Sequence, residues 1–253
     1  MGKQVKQIKR IAMWSGPRNI STALMRSFEN RADTQVVDEP LYAHYLYETG
    51  FDHPMRDEII HSQPVDAAQV VRALADDLPD PNTVSPYYYQ KHMVHHLTGK
   101  TDIRPLLTSH FHHVFLIRDP RAMVASYVRS RATVTAYDLG YPQMMDLFDR
   151  VQTAQGHPPL VINSADILKD PITMLTALCA RLDMPLDPAM LSWPAGRRDS
   201  DGIWAPHWYS TVEKSTGFTP YNAPDIQLTD TLEQVAAACL PAYQALREKA
   251  LKA

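Results

Sequence analysis

The run Val114-Phe115-Leu116-Ile117, followed at once by Arg118-Asp119-Pro120, constrains this chain more than any other stretch. Four apolar residues in succession leave no polar face, which is the pattern of a strand covered on both sides of a parallel sheet. Asp119 and Pro120 then predict a helix start, a capping carboxylate followed by the residue whose fixed φ suits the first helical position. The same alternation recurs along the chain. Residues 8–14 and 35–37 read as strands, and apolar positions 20, 23, 24 and 28 predict a helix over 20–30. Ala67, Val70, Val71, Leu74 and Leu78 mark an amphipathic helix ended by Pro79. Residues 87–91 form an aromatic strand and 160–162 another buried one. Leu175, Leu178, Cys179 and Leu182 give a further helical stripe, and 232–246 the last helix, bent at Pro241.

Strands alternating with helices predict one doubly wound α/β domain over residues 1–253, a mostly parallel sheet with helices on both faces. In that architecture ligands bind beyond the carboxyl ends of the strands, so the loops there are the places to look for chemistry. The composition fits: 253 residues, 45% of them hydrophobic, suffice for a sizeable core. A net charge of −3 gives no general attraction for nucleic acid, and no apolar run approaches the ~18 residues of a membrane span. Cys179 and Cys239 lie in helix-patterned segments and read as buried thiols, not a disulfide framework. The basic start MGKQVKQIKR leads into a strand-like run, unlike a signal peptide, so a cytoplasmic chain is expected. Oligomeric state leaves no trace in the composition.

The loop after the first strand, Gly16-Pro17-Arg18-Asn19-Ile20-Ser21-Thr22, runs into a helix. It can present backbone N–H groups, two hydroxyls and a guanidinium to an anion, or it can be a turn with a helix cap. The GxxxxGK[ST] form is absent, because Ser21 stands five residues after Gly16 and no lysine follows. That disfavours a small-molecule kinase or nucleoside triphosphatase. Arg118 ends a buried strand in the expected ligand crevice, where it can pair with Asp119 as a structural residue or, the reading that position favours, hold an anion.

These residues resemble the sulfotransferase superfamily, as a divergent branch of bacterial type. Pro17, Arg18, Thr22 and Leu24 match its first-loop form P[KR]SGTTxL, with Ser21 a conservative replacement. Arg118 and Ser126 match an Arg–Ser pair eight positions apart, and 164–171, SADILKDP, is similar to a later DLxxDP-like stretch. The resemblance implies a P-loop-like fold and 3′-phosphoadenosine 5′-phosphosulfate (PAPS) as sulfuryl donor, with adenosine 3′,5′-bisphosphate as product and no metal. It places Gly16 through Thr22 around the 5′-phosphosulfate, Arg18 on the oxygens of the transferring group, and Arg118 with Ser126 on the 3′-phosphate. Lys214, Ser215 and Gly217 fall where the family has a loop closing on that phosphate. Asn19 and Ile20 depart from the pattern, and Ile20 brings a side chain where the family has glycine.

The acceptor, a small molecule or sugar with a hydroxyl or amine, needs a base, and there are two candidates. Glu39 follows the second strand at the crevice; His92 is similar to the family's Lys-x-His element with one residue missing. Other histidines, such as His96, His110, His112 and His113, lack the Glu of a HExxH pattern and read as strand-flanking residues. Residues 192–227 break the alternation and hold Trp193, Trp204 and Trp208, which predicts a lid over the site. A catalytically inactive nucleotide-binding or regulatory protein of the same fold is the alternative to an enzyme.

Overall fold

The computed structural model describes residues 8–82, 85–131, 133–223 and 225–252; Pro224, within the expected lid, and the basic residues 1–7 lie outside them. Strand β1 (Lys9–Ser15) leads into α1 (Ser21–Glu29), β2 (Thr34–Asp38), α2 (Tyr42–Thr49), α3 (Arg56–Ser62) and α4 (Ala67–Asp76). Strand β3 (Tyr87–Met93), β4 (Phe111–Ile117), α5 (Pro120–Tyr127), α6 (Ala136–Leu139) and α7 (Tyr141–Gln155) follow. The chain continues through β5 (Leu160–Asn163), α8 (Ser164–Lys169), α9 (Pro171–Arg181), α10 (Ala205–Trp208) and α11 (Asp230–Glu248).

All five strands are parallel, in the order β2-β3-β1-β4-β5. The α/β class and parallel sheet are as the alternation predicts. Burial on both faces explains the unbroken apolar strands. Ile11, Met13, Val114, Leu116 and Ile162 meet Leu24, Met25 and Phe28 of α1 and Leu175 and Leu178 of α9. On the other face Ala12, Trp14, Phe115 and Val161 meet Val70 and Leu74 of α4 and Leu147, Phe148 and Val151 of α7. Truncating a ring such as Phe28, wholly buried between α1 and the sheet, is expected to cost about 3–5 kcal/mol.

Helix starts follow the side-chain chemistry. The Asp119 carboxylate accepts from the Ala122 amide at 3.1 Å and Pro120 opens α5. Asp66 and Asp170 cap α4 and α9 in the same way. Helix α1 is different: its N-cap is Ile20, and no side chain accepts from its first turn. The described residues of 192–227, the expected lid, include α10 and pack Trp193, Trp204 and Tyr209 into the interior. The fifteen-residue α7, which the alternation left unassigned, covers the sheet. No helix among the described residues is long and apolar enough to cross a membrane.

Candidate active site

Strand order places the loops after β1 and β4 side by side, because the chain leaves β1 toward one edge of the sheet and β4 toward the other. A cavity of about 400 Å³ opens there, lined by Pro17 through Thr22, Glu39, Lys91, Arg118 and Ser126, and covered by 208–219. Pro17 through Thr22, Arg118, Ser126, Ser215, Gly217 and Glu39 therefore meet in one place.

The loop is held from several sides. The Asn19 amide donates to the Leu116 carbonyl at 2.9 Å, while its oxygen accepts from the Ile20 N–H at 3.1 Å. Arg118 donates to the carbonyl of Arg18, and Tyr141 donates to the carbonyl of Arg118. Arg18 adopts φ +54°, a region where a residue with a side chain is held only by its surroundings. Its Nε donates to Ser126 Oγ at 3.2 Å. Ile20 packs against the core cluster around α1 while also lining the cavity.

Two cations of this cavity form no ion pair. Among the described residues neither Arg18 nor Arg118 has a carboxylate within ion-pair distance; the arginine ion pairs lie elsewhere. Burial lowers the affinity of both guanidiniums for their protons. Arg18 and Arg129 lower Arg118 further, against the opposing pull of Asp119, and Arg129 lowers Arg18. Two half-buried, mutually repelling guanidiniums beside the uncapped start of α1 form a site that gains stability from an anion.

A second cluster forms the floor. The Lys91 ammonium donates to Asp38 Oδ1 at 2.7 Å, Glu39 Oε1 at 2.7 Å and the Tyr209 hydroxyl at 2.6 Å, which uses all three of its protons. Tyr209 in turn donates to Asp38 Oδ2 at 2.6 Å and accepts from Trp204 Nε1 at 3.1 Å. The Gly202 N–H also reaches Asp38 Oδ2, at 3.2 Å. Glu39 sits at φ +41° with one carboxylate oxygen on Lys91; the other is 3.9 Å from His96 Nε2. Burial pushes the Glu39 carboxyl up, against the opposing pull of Lys91. The two carboxylates hold the Lys91 ammonium above its ordinary value in spite of burial.

Several expected site residues are elsewhere. His92 is a correction: side chains alternate along β3, so Lys91 and Met93 line the cavity while His92 faces the other side. It stacks on Trp14 at 4.2 Å and approaches Gln90, and burial lowers its pKa to about 3. Gly16 does not line the cavity either. A Cβ there would lie 2.3 Å from the Leu139 carbonyl and 2.8 Å from Met123, so glycine permits α6 to approach. Lys214 is exposed and outside the lining, and the Ser215 hydroxyl is engaged by Trp193 at 3.1 Å and the Val212 carbonyl at 2.7 Å. Strand β2 ends in Asp38, but its oxygens are taken by Lys91, Tyr209 and Gly202, unlike a free metal carboxylate. His113 is fixed between Trp14 Nε1 and the Leu106 carbonyl. Among the described residues no three His, Cys, Asp or Glu side chains are grouped to hold a metal.

The sequence reading overlooked Lys91 and Tyr209 as site residues. A lysine inside the buried strand YYYQKHM needs a buried counter-charge, and Asp38-Glu39 at the end of another strand was the signal available for it. Tyr209 had no such signal.

Comparison with known proteins follows the same lines. Residues 9–250 match the family described as the sulfotransferase domain. Branched-chain-amino-acid aminotransferase-like proteins 1 and 2 of Arabidopsis thaliana are 37% and 36% identical to this chain over 242 residues. Those alignments take in 94% of this chain and 41% of each relative, so the chain spans about two fifths of their length. A sulfotransferase from Alicyclobacillus acidocaldarius superposes with TM-score 0.53 at 10% identity, covering 95% of this chain and 96% of that one. The sulfotransferase domain of the Synechococcus PCC 7002 olefin synthase gives 0.50 at 14% identity, covering 92% and 95%. At such identities these two likenesses concern the fold.

Proposed function

This chain belongs to the sulfotransferase domain family, and from that premise we propose that it moves a sulfuryl group from PAPS to a hydroxyl or amine of a small-molecule or sugar acceptor. The observation that carries the reading is the pair Arg18 and Arg118, two guanidiniums that form no ion pair among the described residues and line the cavity at the start of α1. The donor supplies an activated sulfuryl group on a phosphate leaving group. Ser21 and Thr22, in the first turn of α1, hold the 5′-phosphate by backbone N–H and hydroxyl donors. Arg18 stabilises negative charge on the oxygens between phosphate and sulfur. Arg118 and Ser126 receive the 3′-phosphate. Ile20, where the family's loop pattern has glycine, packs against the core cluster and lines the cavity as well.

Glu39 is the base. Lys91 pins one of its oxygens and leaves the other to take the acceptor proton. A carboxyl raised by burial is a stronger base than one in water, and Lys91 keeps it from being permanently protonated. The names of the Arabidopsis relatives raise aminotransferase chemistry as a second reading. Lys91, the lysine in the cavity lining among the described residues, argues against it: a triply bonded ammonium held above its usual pKa is no amine nucleophile.

The pH–rate profile with PAPS tests the base. The rate falls as pH drops through the Glu39 pKa, giving an acidic limb above the ordinary carboxylate value, and Glu39→Gln lowers kcat by about 10²–10⁴ and removes that limb. An unchanged limb in Glu39→Gln excludes this carboxylate. Binding of the bisphosphate without turnover in the unaltered protein would mark the inactive alternative.

A further inference from the structure

A second cavity, of about 470 Å³, opens beside the first and shares His53, Tyr127 and Arg131 with it. Its remaining walls include Tyr45, Phe51 and Tyr137, and Phe51 and Tyr137 are 44% and 47% exposed. Aromatic rings left open to solvent around a hollow favour a flat apolar body between them.

Arg131 stands where the two hollows join. Its Nη1 donates to the Asp52 carbonyl at 3.2 Å, and its guanidinium carbon lies 5.5 Å from the centre of the Trp208 ring. Among the described residues its Nη2 has no hydrogen-bond partner and the guanidinium forms no ion pair, while the residue lines both hollows, so an anionic group of a ligand can pair with it. Asp52 and Asp138 line the second hollow too, but among the described residues neither forms an ion pair with Arg131. Asp52 is exposed, and Asp138 commits Oδ2 to the Thr135 N–H and hydroxyl, both at 2.8 Å, in the cap of α6.

Arg131 also belongs to a different group from the other arginines. Arg129 is the one that adds to the charge felt by Arg18 and Arg118. Arg131 acts on Tyr42, Tyr45 and His53, opposed by Glu39 at Tyr42 and by Asp138 at Tyr45 and His53. We propose that the acceptor carries its own carboxylate, paired by Arg131, with a planar body among the aromatic rings and its hydroxyl turned toward Glu39. The substrate class is thus a hydroxyaryl or similar hydroxy acid. This rests on the reading of the first cavity as the transfer site.

Equilibrium binding tests it without requiring turnover. In calorimetry with saturating adenosine 3′,5′-bisphosphate, 4-hydroxyphenylacetate should bind about tenfold or more tightly than 4-hydroxyphenylacetamide, which differs in charge but hardly in shape. Arg131→Gln should bring the two within about threefold, and Arg131→Lys should restore part of the difference. Equal affinities in the unaltered protein, no binding of either compound, or a preference that survives Arg131→Gln each overturns the proposal. The acid–amide comparison needs no variant, so a poorly folded Arg131→Gln leaves it decisive. Failure of sulfate transfer with the acid preference intact would instead break the reading of the first cavity.

Discussion

The same cavity holds cations that the fold treats in opposite ways. Lys91 is saturated: two carboxylates and a phenol take its three protons, and its side chain is 1% exposed. Arg18 and Arg118 line the same cavity and repel each other, and among the described residues neither forms an ion pair with a carboxylate. A paired buried charge belongs to the scaffold, because removing one partner strands the others. An unpaired one is a site awaiting an anion. The residue type, a basic side chain in each case, does not separate these roles; the partners do.

The first way to break that contrast is Lys91→Met. It leaves Asp38 and Glu39 facing each other in a dry site, and a loss of about 3–5 kcal/mol in unfolding free energy is expected. Denaturant titration should show the drop, and an undiminished midpoint would mean the floor cluster is not structural. Next is Arg18→Ala, which should lower kcat/KM with PAPS by about 10³ while altering unfolding free energy by less than about 1 kcal/mol. If Arg18→Ala destabilised as much as Lys91→Met, the distinction between the two kinds of cation would fail.

Imidazoles sharpen the contrast from a third side, since burial holds them neutral. His53 and His92 are lowered to about 3, and His95 and His113 to about 4. An unfolded chain takes up protons as pH falls through about 6.5, while the folded chain does so only near pH 3–4. Stability therefore rises with pH across that window and is lost on acidification, by about 1 kcal/mol per imidazole at pH 5.5. Thermal denaturation should show a clear fall in Tm between pH 7.5 and 5.5. A flat Tm would show that these rings protonate in place.

Much of the scaffold and half of the site were legible in the sequence for a physical reason. Strands buried on both faces need unbroken apolar runs, and Asp119-Pro120 can hardly be anything but a helix start. Arg18 and Arg118 could be placed because parallel topology alone sends both following loops to one end of the sheet. His92 went wrong where a one-residue difference decides everything: in a strand it exchanges one face for the other, and Met93 holds the position a Lys-x-His spacing would give to histidine. Helix α7 was overlooked although Tyr141, Met144, Leu147, Phe148 and Val151 keep a helical period, so that signal was present. The floor cluster is different. Tyr209 meets Asp38 across 171 positions through a segment with no regular period, and no local pattern encodes such a meeting. Arg131 is likewise defined by its unpaired nitrogen, a property of the folded chain alone.

The two-ended cradle formed by Arg18 and Arg118 is tested most directly by calorimetry of the unaltered protein, in chelator, with adenosine 3′,5′-bisphosphate and adenosine 5′-monophosphate in turn. The bisphosphate should bind about 10–100-fold more tightly, the gain of a charge-assisted contact at Arg118 and Ser126. Equal affinity for the two nucleotides would contradict it.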